Sequence, residues 1–347
     1  MSTIKELELT ISKLTAKGKG ILAADESTPT ITKRFQTIGI ECTEDTRRIY
    51  RETLMTTPDF NQFIAGVILF EETLNQKTSN GISFPEMLKK DGVLPGIKVD
   101  KGLVPLANSI NENVTQGLDG LPERLIEYKS KGACFAKWRA VYAISDHTPS
   151  LLAIQTNAEV LARYAAICQH QGIVPIVEPE VLIDGEHTLE RCEEISEPVF
   201  HAVFNALYRH HVKLEYIVLK PSMVISGKTC SQKASVMDVA KATMRILRRT
   251  VPAAVPTINF LSGGQTSEQA TAHLNAMNQL GSLPWNVSFS YARALQDYCM
   301  KIWQGQAKNI PAAQQAFYKR AKLNSLASMG KYSEAMEKED MLLVSNS

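Results

Sequence analysis

Two pairs of like charges stand two residues apart within or next to apolar segments of the chain. Lys137 and Arg139 lie in the segment 134–141, and Glu178 and Glu180 directly follow the segment 173–177. Because side chains alternate across a β-strand, the members of each pair point to the same face. The sequence therefore predicts one site in which a pair of carboxylates faces a pair of cations, and such groups could transfer protons. The alternative is an ion-pair cluster with a purely structural role.

Lys220 is the strongest candidate for a nucleophile. It ends the apolar segment 216–219 and precedes Pro221, which favours an extended backbone. An ammonium group in apolar surroundings loses hydration, and a second cation such as Lys137 would favour the neutral amine further. A neutral lysine amine attacks carbonyl carbons and forms a Schiff base. The alternative is a lysine whose charged end reaches solvent from the end of the strand.

Further polar side chains lie at the ends of other apolar segments, and they include possible ligands of an anion. They are Asp25, Lys98, Ser262, Ser290 and Arg293. Gly263 and Gly264 follow Ser262, and glycines allow backbone N–H groups to approach an anion closely. Arginine adds a bidentate donor for phosphate. These loops are therefore predicted to bind phosphate.

Eight short apolar segments with strand character recur along the chain, at residues 20–24, 64–70, 96–99, 134–141, 173–177, 216–219, 257–261 and 287–291. The stretches between them have helical periodicity, as at 157–171, 193–210 and 236–249. This alternation is typical of a parallel α/β protein, either an open doubly wound sheet or a closed barrel. An open nucleotide-binding sheet would carry GxGxxG after its first strand, and this chain does not. The eight segments therefore favour a (β/α)8 TIM barrel.

The ends of the chain complete this architecture. Apolar residues at 4, 7, 11 and 14 mark one face of an N-terminal helix. We expect a single barrel domain at residues 1–327, with this helix and a C-terminal helical extension, followed by a flexible tail at 328–347. In such barrels the C-terminal ends of the strands carry the active site, so the polar residues described above should converge there.

The composition excludes several classes of function. Among 347 residues, 38 Lys and Arg stand against 36 Asp and Glu, and this net charge of +2 gives no basic field for nucleic acid. No apolar run is long enough to cross a membrane. Six scattered cysteines without a CxxC pair are typical of reduced thiols in a cytoplasmic protein. The seven histidines form neither HxH nor HExxH, so no metal site is expected.

Several long segments, in order along the chain, resemble class I fructose-bisphosphate aldolases. They are GILAADEST at 20–28, GVILF at 66–70, GIKVDKG at 96–102, FAKWR at 135–139, IVEPE at 176–180, LKP at 219–221 and LSGG at 261–264. The resemblance implies a (β/α)8 barrel that needs no metal or other cofactor and is usually a homotetramer. It also implies reversible cleavage of fructose 1,6-bisphosphate to dihydroxyacetone phosphate and glyceraldehyde 3-phosphate, in glycolysis and gluconeogenesis.

The resemblance also implies roles for individual residues. Lys220 looks like the Schiff-base lysine, Glu178 like the general acid/base with Glu180 beside it, Asp25 like the base for the C4 hydroxyl, and Lys137 like a group that positions intermediates. Residues similar to the C1-phosphate site of the family are Ser262, Gly263, Gly264, Ser290 and Arg293. Residues similar to the basic groups nearer the second phosphate are Lys33, Arg34, Lys98 and Arg139.

The C-terminal end departs from the family pattern. Animal members end in a tyrosine that reaches the active site, whereas residues 342–347 here read LLVSNS. This difference leaves open the preference between fructose 1,6-bisphosphate and fructose 1-phosphate. Two other classes of function also stay open: a non-catalytic protein that binds phosphorylated sugars, and a Schiff-base transferase of the transaldolase type.

Overall fold

A computed structural model describes residues 2–339, and within that range eight parallel strands close into one barrel. They are β1 (Gly20–Ala24), β2 (Ile64–Leu69), β3 (Leu94–Lys98), β4 (Phe135–Tyr142), β5 (Val174–Val181), β6 (Val218–Leu219), β7 (Thr257–Phe260) and β8 (Asn286–Tyr291). Each strand pairs with the next one along the chain, and β8 pairs with β1. The predicted (β/α)8 TIM barrel is therefore confirmed.

Helices surround the barrel in the order that the sequence predicts. Within residues 2–339 they are α1 (Thr3–Leu14), α2 (Thr28–Gln36), α3 (Glu44–Met55), α4 (Glu71–Asn75), α5 (Phe84–Lys90), α6 (Leu121–Ser130), α7 (Leu151–His170), α8 (Leu189–Arg209), α9 (Val236–Thr250), α10 (Ser267–Asn278), α11 (Arg293–Trp303) and α12 (Ile310–Ser328). A short antiparallel hairpin, Leu103–Pro105 with Asn113–Thr115, follows β3. In the part of the chain that the structure describes, no helix is long and apolar enough to span a membrane.

One aromatic ring, that of Phe135, packs among the aliphatic side chains inside the barrel. Phe135 begins β4 and is fully buried, and Gly66 and Gly96 on neighbouring strands leave room for its ring. A Cβ at Gly96 would lie 2.2 Å from the ring, and one at Gly66 would lie 2.9 Å from it. Since Phe135 precedes Lys137 by two residues, both side chains point inward. The ring therefore packs inside the barrel, next to Lys137 on the same strand.

Two strands differ from the length of their predicted segments by more than one residue. The segment predicted at 173–177 continues to Val181, because pairing with β4 runs without interruption from Val174 to the end of the strand. The segment predicted at 216–219 is reduced to two residues, because Leu214–Tyr216 forms a 3₁₀ turn. The helix predicted at 157–171 begins earlier, at Leu151, where the Ser150 hydroxyl accepts a hydrogen bond from the Ala153 N–H at 3.1 Å.

The last described residues pack on α10 and α12. Tyr332 is buried, and its backbone N–H donates to Asn275 Oδ1 at 2.9 Å. Arg320, buried on α12, donates from Nη1 to both carboxylate oxygens of Glu337, at 2.7 and 2.6 Å. The division into a barrel at 1–327 and a flexible tail at 328–347 stays a prediction, and residues 340–347 of that tail lie outside the described residues.

Candidate active site

The C-terminal ends of the strands surround an open cleft of about 420 Å³, to which seven of the eight strands or their following loops contribute. Thirteen of the fourteen predicted site residues line it: Asp25, Lys33, Arg34, Lys98, Lys137, Arg139, Glu178, Glu180, Lys220, Ser262, Gly263, Ser290 and Arg293. Gly264 lies just outside, where an added Cβ would be 3.6 Å from Arg293 Nη2. The fold thus brings together side chains that are spread over most of the sequence.

Four charged side chains form a buried network at the base of the cleft. Lys137 Nζ lies 2.7 Å from Asp25 Oδ2 and 3.6 Å from Glu178 Oε2. Lys220 Nζ lies 3.5 Å from the same Glu178 oxygen, and the backbone N–H of Lys220 donates to the Val177 carbonyl at 2.8 Å, which holds it beside β5. Two cations thus balance two carboxylates, as a site with little access to solvent requires.

The network shifts the pKa values of two of its members. Burial alone would raise the pKa of Asp25, but the positive charges of Lys137 and Lys220 outweigh burial and lower it. Burial alone would lower the pKa of Lys137, but Asp25 and Glu178 outweigh burial and raise it. Asp25 is therefore a carboxylate and Lys137 an ammonium at neutral pH. Because Lys137 has the closer carboxylate, Lys220 is the amine that is better placed to leave its ion pair and react.

A second layer of ion pairs lies next to this network. Arg139 donates from Nε to Glu180 Oε2, and Glu180 and Glu178 line the same cleft, as strand alternation predicts. Burial would lower the pKa of Arg139, but the charge of Glu180 outweighs burial and raises it. Lys98 Nζ lies 2.6 Å from Asp100 Oδ1. These cations are thus held in place by carboxylates before any ligand binds.

Arg34 is held by partners that the sequence analysis did not select. Its guanidinium pairs with Glu26 and donates to Gln296 Oε1 and Asp297 Oδ1, each at 3.1 Å. Glu26 also lines the cleft, and its position directly after Asp25 was the signal that could have identified it. The two partners on α11 come from the other end of the chain, and local spacing gives no sign of them.

The loops after β7 and β8 offer neutral donors and one cation. Gly263 and Gly264 have φ angles of 53° and 84°, in the left-handed region that favours glycine, and such turns direct successive N–H groups toward an anion. The Ser290 hydroxyl is buried, and its oxygen has no hydrogen-bond partner among the described residues. Arg293 is exposed and forms no ion pair within residues 2–339. This end of the cleft fits a phosphate group.

The arrangement can form an imine with a phosphorylated ketone. A lysine amine beside a carboxylate supplies a nucleophile and a proton donor, and the second carboxylate can accept another proton. Within residues 2–339, no group of three or more His, Cys, Asp or Glu side chains is arranged to hold a metal ion. The fold and the site together define a Schiff-base enzyme that is built on a TIM barrel.

Comparisons with known proteins agree with this class. The model of the class-I fructose-bisphosphate aldolase family matches residues 6–345. A probable fructose-bisphosphate aldolase class 1 of Xanthomonas campestris pv. campestris is 54% identical over 331 residues, which are 95% of this chain and 99% of the relative. Fructose-bisphosphate aldolase C of Rattus norvegicus is 54% identical over 330 residues, which are 94% of this chain and 91% of the relative.

A solved structure is also similar to this chain over nearly its whole length. The fructose-bisphosphate aldolase of Plasmodium falciparum, in a ternary complex with TRAP and a small-molecule inhibitor, superposes with a TM-score of 0.94 at 49% identity, covering 95% of this chain and 96% of that one. This chain belongs to the class I fructose-bisphosphate aldolase family, and the resemblance stated from its motifs is confirmed.

Proposed function

We propose that this protein is a class I fructose-bisphosphate aldolase. It cleaves fructose 1,6-bisphosphate reversibly to dihydroxyacetone phosphate and glyceraldehyde 3-phosphate, in glycolysis and gluconeogenesis. The observation that carries the proposal is a buried lysine, Lys220, 3.5 Å from the Glu178 carboxylate at the base of a cleft with cations at its mouth. The family match over residues 6–345 supports it.

Lys220 acts as the nucleophile. Its uncharged amine attacks the C2 carbonyl carbon of the ketose and forms a carbinolamine. Glu178, which has accepted the proton that the Lys220 ammonium loses, then gives a proton to the C2 hydroxyl, which leaves as water, and a protonated imine remains. The distance of 3.5 Å between Lys220 Nζ and Glu178 Oε2 places the carboxyl group within reach of the atoms bonded to that nitrogen.

Asp25 takes the proton of the C4 hydroxyl. The C3–C4 bond then breaks, and its electron pair moves into the protonated imine to give an enamine and glyceraldehyde 3-phosphate. Protonation of the enamine at C3 and hydrolysis of the imine release dihydroxyacetone phosphate and restore Lys220. Lys137 supports the cleavage, because its ammonium group 2.7 Å away lowers the pKa of Asp25 and keeps it ionised.

The two phosphates bind at opposite sides of the mouth. Ser262, Gly263, Gly264, Ser290 and Arg293 bind the C1 phosphate, and Lys33, Arg34, Lys98 and Arg139 lie nearer the second phosphate. In each group one cation, Arg293 or Lys33, has no ion-pair partner within residues 2–339 and is therefore free to pair with a phosphate. The others hold their orientation through the carboxylates described above.

We also infer a cytoplasmic homotetramer that binds neither nucleic acid nor membrane. Six free cysteines support a cytoplasmic location. The net charge of +2 argues against binding to nucleic acid. Membership of the family supports a homotetramer. Light scattering on the purified protein tests the assembly, and a mass of one or two chains would contradict it.

One assay separates the proposed activity from its alternatives. Release of triose phosphate from fructose 1,6-bisphosphate, followed by a coupled dehydrogenase without any acceptor aldehyde, is expected for the wild type and absent for Lys220→Met. Turnover that requires an acceptor would instead show a transaldolase-type transferase. Substrate binding without borohydride trapping on Lys220 would show a non-catalytic binder. Parallel assays with fructose 1-phosphate decide the substrate preference.

A further inference from the structure

One buried side chain, that of Gln265, forms a hydrogen bond with the loop 262–264. Its backbone N–H and its Nε2 both donate to the carbonyl oxygen of Ser262, each at 3.0 Å. Nε2 also lies 3.5 Å from the sulfur of Met223, three residues after Lys220. The Gln265 amide therefore links the loop after β7 to the segment that follows the Schiff-base lysine.

The orientation of this amide is set by His273 on α10. His273 is 4% exposed, and its Nδ1 lies 2.6 Å from Gln265 Oε1. Since an amide oxygen only accepts hydrogen bonds, Nδ1 must carry the proton and donate it. Burial lowers the pKa of His273 to about 4, so the ring is neutral at neutral pH and its single proton lies on Nδ1.

The contact matters because a glutamine amide has two ends of nearly the same shape. If Oε1 and Nε2 exchanged places, an oxygen would face the carbonyl oxygen of Ser262, and the side-chain bond to that oxygen would be lost. Gln265 is itself buried, so solvent cannot replace the lost donor easily. A donor at the position of His273 Nδ1 excludes this exchange.

We propose that His273 is a positioning residue for the phosphate-binding loop: by donating to Gln265, it keeps the Gln265 amide bonded to Ser262 and the loop 262–264 in the shape that binds the C1 phosphate. This inference rests on the proposed function, since it assigns that phosphate to this loop. His273 itself touches neither the substrate nor the reacting atoms.

The test compares variants that remove or keep the donor. His273→Leu and the smaller His273→Ala remove it, whereas His273→Asn places an amide nitrogen where Nδ1 lies. For cleavage of fructose 1,6-bisphosphate, the leucine and alanine variants should raise KM about tenfold with kcat changed less than about twofold. The asparagine variant should keep both constants within about twofold of the wild type. The inhibition constant of inorganic phosphate should likewise rise in the leucine and alanine variants and stay near the wild-type value in the asparagine variant.

Two controls separate positioning from a general loss of structure. Asn275→Leu alters another buried polar residue of α10, whose partner is the Tyr332 N–H and not the loop, and it should leave KM unchanged. In a double-mutant cycle, adding His273→Leu to Gln265→Leu should raise KM no further, because both changes remove the same link. Additive effects would overturn the proposal, as would a KM within about twofold of the wild type in both donor-free variants.

The failure of this inference differs from the failure of the proposed function. If the wild type releases no triose phosphate, the proposed function fails, and calorimetry with inorganic phosphate then tests the loop directly. Weaker phosphate binding by His273→Leu with retained binding by His273→Asn supports the positioning role. Equal binding by all variants overturns it.

Discussion

The ion pair between Lys137 and Asp25 provides the sharpest quantitative test of the site. Their charged atoms are 2.7 Å apart and both side chains are buried. With an effective dielectric constant of about 20, the Coulomb energy at this distance is roughly 6 kcal/mol. Removing one partner of a buried pair typically costs about 3–5 kcal/mol, because the other charge is left without compensation. We therefore expect Lys137→Met to lower the free energy of unfolding by an amount in this range.

The pH dependence of this loss follows from the pKa of Asp25. In the wild type that pKa lies below its ordinary value of 3.8, so the pair stabilises the protein above this value and the stabilisation is lost as pH falls through the lowered pKa. The deficit of Lys137→Met should therefore be largest at neutral pH and shrink as the pH is lowered, because a protonated Asp25 no longer lacks a cation. Urea unfolding at one protein concentration between pH 7.5 and pH 3 measures it.

The same variant should slow the chemistry without abolishing it. Without Lys137, Lys220 is the one cation left beside Asp25 and Glu178 in this network, so its ion pair should strengthen and imine formation should slow. Lys220→Met should abolish trapping at every pH. The assay is borohydride incorporation of labelled dihydroxyacetone phosphate from pH 6 to pH 10.

Two controls and two results decide the outcome. Lys101→Met removes a cation from an exposed ion pair with Glu71, whose two side chains are 46% and 43% exposed, and should cost less than about 1 kcal/mol. Lys137→Arg keeps the charge and should retain most of the stability. A stability of Lys137→Met within about 1 kcal/mol of the wild type would refute the electrostatic reasoning. Trapping by Lys220→Met would show that the nucleophile is another residue.

Three further predictions address the metal, the phosphate and the C-terminal segment. Activity should survive excess EDTA, because the protonated imine accepts the electrons of the broken bond; loss of activity that zinc restores would contradict the Schiff-base mechanism. Arg293→Ala should raise KM for the bisphosphate about tenfold or more and leave borohydride trapping intact, and an unchanged KM would place the phosphate elsewhere. Glu337→Gln should lower the free energy of unfolding by about 1–3 kcal/mol, because the buried Arg320 loses its charged partner. The exposed Glu334→Gln should have no effect in the same denaturation experiment.

Most of the fold could be predicted, because each strand carries its own apolar signal. The eight strands appear within a few residues of their predicted segments, and only the boundaries of β5 and β6 differ clearly. Charged residues shortened the predicted β5, since Glu178 and Glu180 look like the start of a loop. In the barrel they remain in the strand, because their backbone groups pair with β4 while their side chains turn into the cleft.

The members of the site could be predicted, but their partners could not. Side-chain alternation placed Lys137 with Arg139 and Glu178 with Glu180, which is local information. Local spacing does not show which carboxylate neutralises Lys137, and in the structure Asp25 makes the closer contact with it and Glu178 the longer one. Gln265 and His273 were missed for the same reason, because their role depends on a contact between a loop and the helix behind it.

The packing of Phe135 against Gly96 has a consequence for how this barrel can change over evolutionary time. The ring occupies the space that any side chain at position 96 would need, since a Cβ would lie 2.2 Å from it. A lineage that acquires alanine at 96 while keeping phenylalanine at 135 must displace this ring, which lies two residues before Lys137 on the same strand. The permitted route begins with a smaller residue at 135 and adds a larger one at 96 afterwards. The two positions therefore form a pair whose substitutions are accessible in one order only.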